Sequence, residues 1–174
     1  MRGLIINHQT KYIEDIIKLF NECDVVHYKE FSEEKAEKYD YVILSGGPTL
    51  DEKFDNIKEE KEWLLKTNKP VLGICLGIQI LCMIYGGDMK KFEKNRKLNE
   101  DFRFIDTDYK MLYNHSYYFD KITNEFIGEI KNNIVVWIKH KTKPILAFQG
   151  HPEVTENGEK IRDFFLYKIV KKKD

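Results

Sequence analysis

Four short runs, Gly3 to Ile6, Tyr41 to Leu44, Pro70 to Ile74 and Pro144 to Phe148, lack polar side chains at every position, not at every second one. A strand of that kind is buried on both faces, which points to a parallel sheet covered by helices. The intervening segments supply the helices. Ile13, Ile16, Ile17 and Phe20 recur at helical spacing after the first run, and Asp24 to Tyr28 adds a short strand. Ser32, with Glu33 and Glu34 behind it, reads as the N-cap of a short charged helix. Phe54, Ile57, Trp63 and Leu64 mark a helix from about Asp51 to Lys66. This alternation predicts an α/β fold with a largely parallel sheet and helices on both faces.

The third run leads straight into Gly73-Ile74-Cys75-Leu76-Gly77, followed by an apolar helix from Leu76 to Tyr85. A strand that turns sharply into a helix lifts the side chain at the turn above the sheet, and flanking glycines let the backbone crowd there. The helix also aims the positive end of its dipole at Cys75. Alone, Cys75 reads as a core cysteine; the two glycines favour a nucleophile. Gln149-Gly150-His151-Pro152-Glu153 follows the fourth run. A cysteine, a histidine and a carboxylate therefore fall at strand ends, where open α/β sheets carry their chemistry. In extended chain, His151 and Glu153 point the same way, and Pro152 favours that conformation at His151.

The second half is less regular. Lys90 to Asp101 is polar, and Phe102 to Leu112 suggests a strand or hairpin. Ile134 to Ile138 predicts a strand antiparallel to Pro144 to Phe148 across a turn at His140 to Lys143. A closing helix over Gly158 to Val170 carries Ile161, Phe164, Phe165 and Ile169 on one face.

A length of 174 residues fits one domain over 1–174. The 29 basic and 29 acidic residues cancel, and only Lys171 to Lys173 form a short cationic run, a solvated tail, so neither nucleic acid nor membrane is implied as a partner. The N-terminal apolar run is too short for a signal peptide or a span, which makes a cytoplasmic location the expectation. Cys23, Cys75 and Cys82 form no even disulfide set, and no zinc-type spacing occurs, so no metal is expected. Cys82 and Cys23 read as core residues. His8, His27 and His140 read as structural or solvent-facing.

Taken together, Ser45-Gly46-Gly47-Pro48, Gly73-Ile74-Cys75-Leu76-Gly77 with Gln79, Tyr85-Gly86-Gly87, and Gln149 with His151-Pro152-Glu153 resemble the class I glutamine amidotransferases of the Cys-His-Glu type. Lys141-Thr142-Lys143-Pro144-Ile145 and Val154 look most like the separate glutaminase subunit of archaeal-type GMP synthetase. The resemblance implies a flavodoxin-like three-layer α/β fold whose mostly parallel central sheet has an antiparallel extension. It implies Cys75, His151 and Glu153 as catalytic residues, the N–H groups of Gly47 and Leu76 as oxyanion donors, and Gln79 as a substrate contact. It further implies L-glutamine as substrate and a separate synthetase as partner. No cofactor is expected on this chain; ATP and magnesium belong to the partner, since no Gly-x-x-x-x-Gly-Lys loop occurs here.

The sequence departs from the family in three places. Ile78 stands where the family has His or Met, and Gly150 where it has a bulky aromatic, a loss expected to loosen the packing behind His151. The family's Ser-His pair is replaced by Asn114-His115-Ser116-Tyr117, where Asn114 or Ser116 can bind the α-amino and α-carboxylate groups of the substrate, His115 can face a partner, or the segment is a plain loop. The competing readings are the amidotransferase component of anthranilate or aminodeoxychorismate synthase, a stand-alone hydrolase, and a degenerate regulatory subunit.

Overall fold

A computed structural model describes residues 1–48 and 55–171. Five short strands, β1 (Gly3–Asn7), β2 (Cys23–His27), β3 (Tyr41–Leu44), β4 (Val71–Ile74) and β9 (Ile145–Phe148), run parallel in the order β2-β1-β3-β4-β9. Beyond β9, two antiparallel strands, β8 (Ile134–His140) and β7 (Phe126–Lys131), extend the sheet to seven strands. The α/β class, the mostly parallel sheet and its antiparallel extension agree with the sequence reading.

Alternate residues of the parallel strands enter two separate cores. Leu4, Ile6, Val42 and Leu44 join Trp63 and Leu64 of α3 (Lys58–Lys66) and Leu81 of α4 (Leu76–Ile84) on one face. On the other, Ile5, Ile43 and Leu72 pack against Ile16 and Phe20 of α1 (Ile13–Phe20) and Ile161 of α5 (Gly158–Phe164). Ser32 caps α2 (Glu33–Ala36) by accepting from the Lys35 N–H at 3.3 Å.

Several boundaries differ from expectation. The start of the helix placed at Asp51, including Phe54, lies outside the described residues; the described helix begins at Lys58 after a tight turn over Asp55–Ile57. The C-terminal helix changes to π-type pitch over Phe165–Val170. The polar stretch from Lys90 is the first arm of a long hairpin: β5 (Lys90–Phe104) pairs with β6 (Thr107–Tyr118) as a separate two-stranded sheet. Phe102, Phe104, Met111 and Tyr113 of this hairpin are buried in the core shared with α1 and α5. Strand β7 carried no period-2 signal strong enough to predict it, because a register irregularity between Glu129 and Ile130 interrupts its alternation.

Candidate active site

Cys75 adopts φ 50° and ψ −98°, a conformation costly for a residue with a Cβ. The surroundings over-determine it. Its N–H donates to the Phe148 carbonyl at 2.8 Å, and α4 starts at the next residue. A Cβ on Gly73 would lie 2.8 Å from the Ala147 Cβ, and one on Gly77 would lie 2.7 Å from the Leu44 oxygen. Only glycines let β4, β9, β3 and α4 close around this turn. Leu76 opens α4, where first-turn N–H groups have no helical acceptor.

His151 is placed by the hairpin as well as by β9: its N–H donates to the Leu112 carbonyl of β6 at 2.8 Å. Its Nδ1 lies 2.8 Å from Glu153 Oε1, and both residues are buried. Glu153 does not continue an extended chain, as expected, but lies in a 3-10 turn over Pro152–Val154 that brings the carboxylate back to the ring. Gly46 lies against both side chains: a Cβ there would be 3.1 Å from His151 Cε1 and 3.4 Å from Cys75 Cβ. Burial disfavours the imidazolium, but the nearby Cys75 sulfur and the Glu153 carboxylate outweigh it and hold the His151 pKa well above the usual histidine range. His151 Nε2 is buried with no hydrogen-bond partner among the described residues.

The other expected residues surround a cavity of about 510 Å³ that reaches Cys75 and His151. Gly47 lines it from the end of β3, and Gln79 from α4. Gln79 is buried rather than solvent-facing, and its Nε2 donates to the Tyr117 carbonyl at 3.0 Å. Asn114, His115, Ser116 and Tyr117 all line the cavity, from within β6 and not from a loop. His115 is buried, and its Nδ1 lies 2.7 Å from the Tyr117 carbonyl. Burial pushes its pKa down to about 4, against that carbonyl and with help from Arg96 and His151.

Gly150 leaves no void. A Cβ there would meet Met111 Sδ at 2.5 Å, so Met111 of β6 fills the room behind His151 that an aromatic ring was expected to leave empty. Ile78 is absorbed in the core of the α3–α4 face. Cys82 is a buried core thiol with its pKa raised to about 12 by burial, and half-buried Cys23 packs its Sγ 3.4 Å from the Tyr41 hydroxyl. His140 Nδ1 accepts from the Thr142 and Lys143 N–H groups and so shapes the turn before β9, while His27 caps a 3-10 turn.

Five residues gained no role at the site from the sequence alone. The Tyr12 ring meets the His151 ring edge-on at 5.0 Å. Gln149 Nε2 lies 3.7 Å from Cys75 Sγ, and Gln149 Oε1 accepts from Gln79. Asn95 reaches the cavity from β5. Behind Gly47, buried His8 pairs through Nε2 with both oxygens of buried Glu60 at 3.1 Å. Gln149 stood in a quoted motif; the others depend on long-range packing that no local pattern signals. Among the described residues no group of His, Cys, Asp and Glu has the arrangement of a metal site.

The glutamine amidotransferase class-I family model matches residues 4–168. The chain belongs to the class I glutamine amidotransferases. This is a family of glutamine-hydrolysing enzymes. The glutamine-hydrolyzing GMP synthase of Francisella philomiragia subsp. philomiragia is 33% identical over 147 residues, 75% of this chain but only 28% of that protein. A putative anthranilate synthase component II of Haemophilus influenzae is 27% identical over 181 residues, 92% of this chain and 93% of its own length. The fold of a putative GMP synthase subunit from Thermoplasma acidophilum superposes with a TM-score of 0.86 at 22% identity, over 99% of this chain and 94% of that one. A glutamine amidotransferase from Thermotoga maritima gives 0.69 at 24% identity, over 100% and 86%. No helix among the described residues is long and apolar enough to cross a membrane.

Proposed function

We propose that this amidotransferase is the glutaminase subunit of a two-protein synthetase, hydrolysing L-glutamine at Cys75 and supplying ammonia for GMP formation. The observation that carries the chemistry is Cys75 at a strained strand-to-helix turn beside a buried His151–Glu153 pair, at the floor of a cavity. The Cys75 sulfur attacks the side-chain carbonyl carbon of glutamine. A C–S bond forms, the C–N bond breaks, and His151 moves the thiol proton to the departing ammonia. Glu153 orients and stabilises the imidazolium. The N–H groups of Gly47 and Leu76 receive the oxyanion, and Gln79 steadies the substrate directly or through its bond to the Tyr117 carbonyl. Water then cleaves the thioester, releasing glutamate and restoring the thiol.

The chain spans about a quarter to a third of the length of the GMP synthases it matches. In this reading ATP, magnesium and the acceptor belong to the partner. Replacing Cys75 by Ala is expected to abolish glutamine-dependent product formation by the assembled enzyme while leaving its use of free ammonium intact; unchanged glutamine turnover would exclude the assignment. The match to an anthranilate synthase component II over nearly both full lengths favours a second reading, in which the acceptor is a chorismate-derived intermediate. Co-purification from native cells separates the two: an ATP-dependent synthetase supports the first, a chorismate-using enzyme the second.

A further inference from the structure

The hairpin wall of the cavity has an irregularity that reaches the cavity through Asn95. The β5–β6 register jumps from Lys91 opposite Tyr117 to Arg96 opposite His115, so the residues between Lys91 and Arg96 bulge out of the ladder. Phe92 anchors the bulge by stacking on Tyr118 at 4.2 Å and meeting His115 edge-on at 5.5 Å. At its other end Asn95 turns toward the cavity. There Asn95 Nδ2 donates to Asn114 Oδ1 at 2.9 Å, and the Ser116 hydroxyl donates to Asn95 Oδ1 at 3.0 Å.

These two bonds have opposite consequences for their partners. An asparagine amide whose oxygen is already engaged turns its free N–H donors toward a ligand, and a hydroxyl whose proton is engaged can offer only its lone pairs. Asn114 thus presents donors to the cavity and Ser116 an acceptor. The cavity wall contains no carboxylate or arginine among the described residues, and Lys11 is its one permanently charged side chain. Apart from Lys11, recognition of a zwitterion by the described wall falls to oriented neutral dipoles. We propose that Asn95 is the specificity-determining residue for the α-carbon end of the substrate. It sets Asn114 for the α-carboxylate and Ser116 for the α-ammonium group, so that the site selects an intact L-amino acid over amides lacking either group. This rests on the glutaminase reading.

The test compares the complex carrying the wild-type chain with Asn95→Ala and Asn95→Asp variants on three amides. These are L-glutamine, 4-carbamoylbutanoate, which lacks the amine, and 4-aminobutanamide, which lacks the carboxylate. Asn95→Ala is expected to raise KM for L-glutamine by roughly tenfold, as for a lost bond to a charged group, with kcat within about twofold. Each truncated amide keeps only one of the two groups and should lose less, about threefold, so the preference for L-glutamine narrows. Asn95→Asp keeps the acceptor for Ser116 but loses the donor to Asn114 and adds a negative charge, and it should penalise the carboxylate-bearing substrates more than 4-aminobutanamide. An equal loss on all three amides is what mere loosening of the hairpin produces, and it would overturn the proposal, as would an unchanged L-glutamine KM in both variants. If the wild-type complex hydrolyses no glutamine, the glutaminase reading falls and this inference with it.

Discussion

At Gly77 two residue-level effects oppose each other. In an ordinary helix interior, Ala is favoured over Gly by up to about 1 kcal/mol. Here the new Cβ would lie 2.7 Å from the Leu44 backbone oxygen, and overpacking against backbone costs about 1–3 kcal/mol. Steric repulsion wins, so Gly77→Ala should lower the melting temperature by several degrees in a thermal scan; a raised value would refute the account of the elbow. His115 gives a pH test. Its pKa is depressed to about 4 by burial, so the unfolded chain binds its proton more readily below pH about 6.5. Stability from this group is complete above that pH and is lost as pH falls toward 4, by about 3 kcal/mol at most. Urea unfolding at pH 7 and pH 4.5 should show a larger loss for the wild type than for His115→Asn.

Among the elements, α3 and β1 are joined behind the site by the Glu60–His8 pair, while the His8 N–H donates to Ser45 Oγ at 2.8 Å and Ser45 Oγ donates to the Gly46 carbonyl at 2.7 Å. The end of β1, the loop after β3 and α3 are therefore tied together by one chain of hydrogen bonds. Removing one partner of a buried hydrogen-bonded pair leaves the other unsatisfied and costs about 1–3 kcal/mol. Glu60→Ala is expected to lose that much in urea unfolding, whereas a loss below about 1 kcal/mol, as for an exposed pair, would show that the contact holds nothing together. Strands β1, β3, β4 and β9 and the elbow helix were readable because each is a continuous apolar run or carries its own turn residues. Strand β5 was not: its polar residues face solvent along most of its length, and only Phe102 and Phe104 reach the core.

For the whole molecule, the hairpin closes the sheet's second face and completes the site. Met111 fills the space left by Gly150, and Leu112 receives the His151 N–H. Gly150→Phe alone should destabilise by about 1–3 kcal/mol through overpacking. Adding Met111→Ala should recover part of that loss, a coupling that thermal or urea unfolding of the double-mutant cycle would measure. If the two changes are additive, the two side chains do not share the space.

The sequence by itself determined the parallel core, the elbow at Cys75 and the grouping of Cys75, His151 and Glu153, because each depends on residues within a few positions of one another or on strand ends that the α/β topology must align. It also pointed to Gln79, Asn114 and Ser116 as cavity residues through family likeness. Only the tertiary structure decided that Asn114 to Tyr117 form a strand, that Glu153 reaches His151 through a turn, that Met111 compensates for Gly150, and that Tyr12, Asn95 and the His8–Glu60 pair attend the site. Apart from the His151–Glu153 turn, those contacts join residues far apart in the chain, from 19 positions for Asn95 and Asn114 to 139 for Tyr12 and His151. No local periodicity encodes them, because the energy that selects each one arises only when the two surfaces meet.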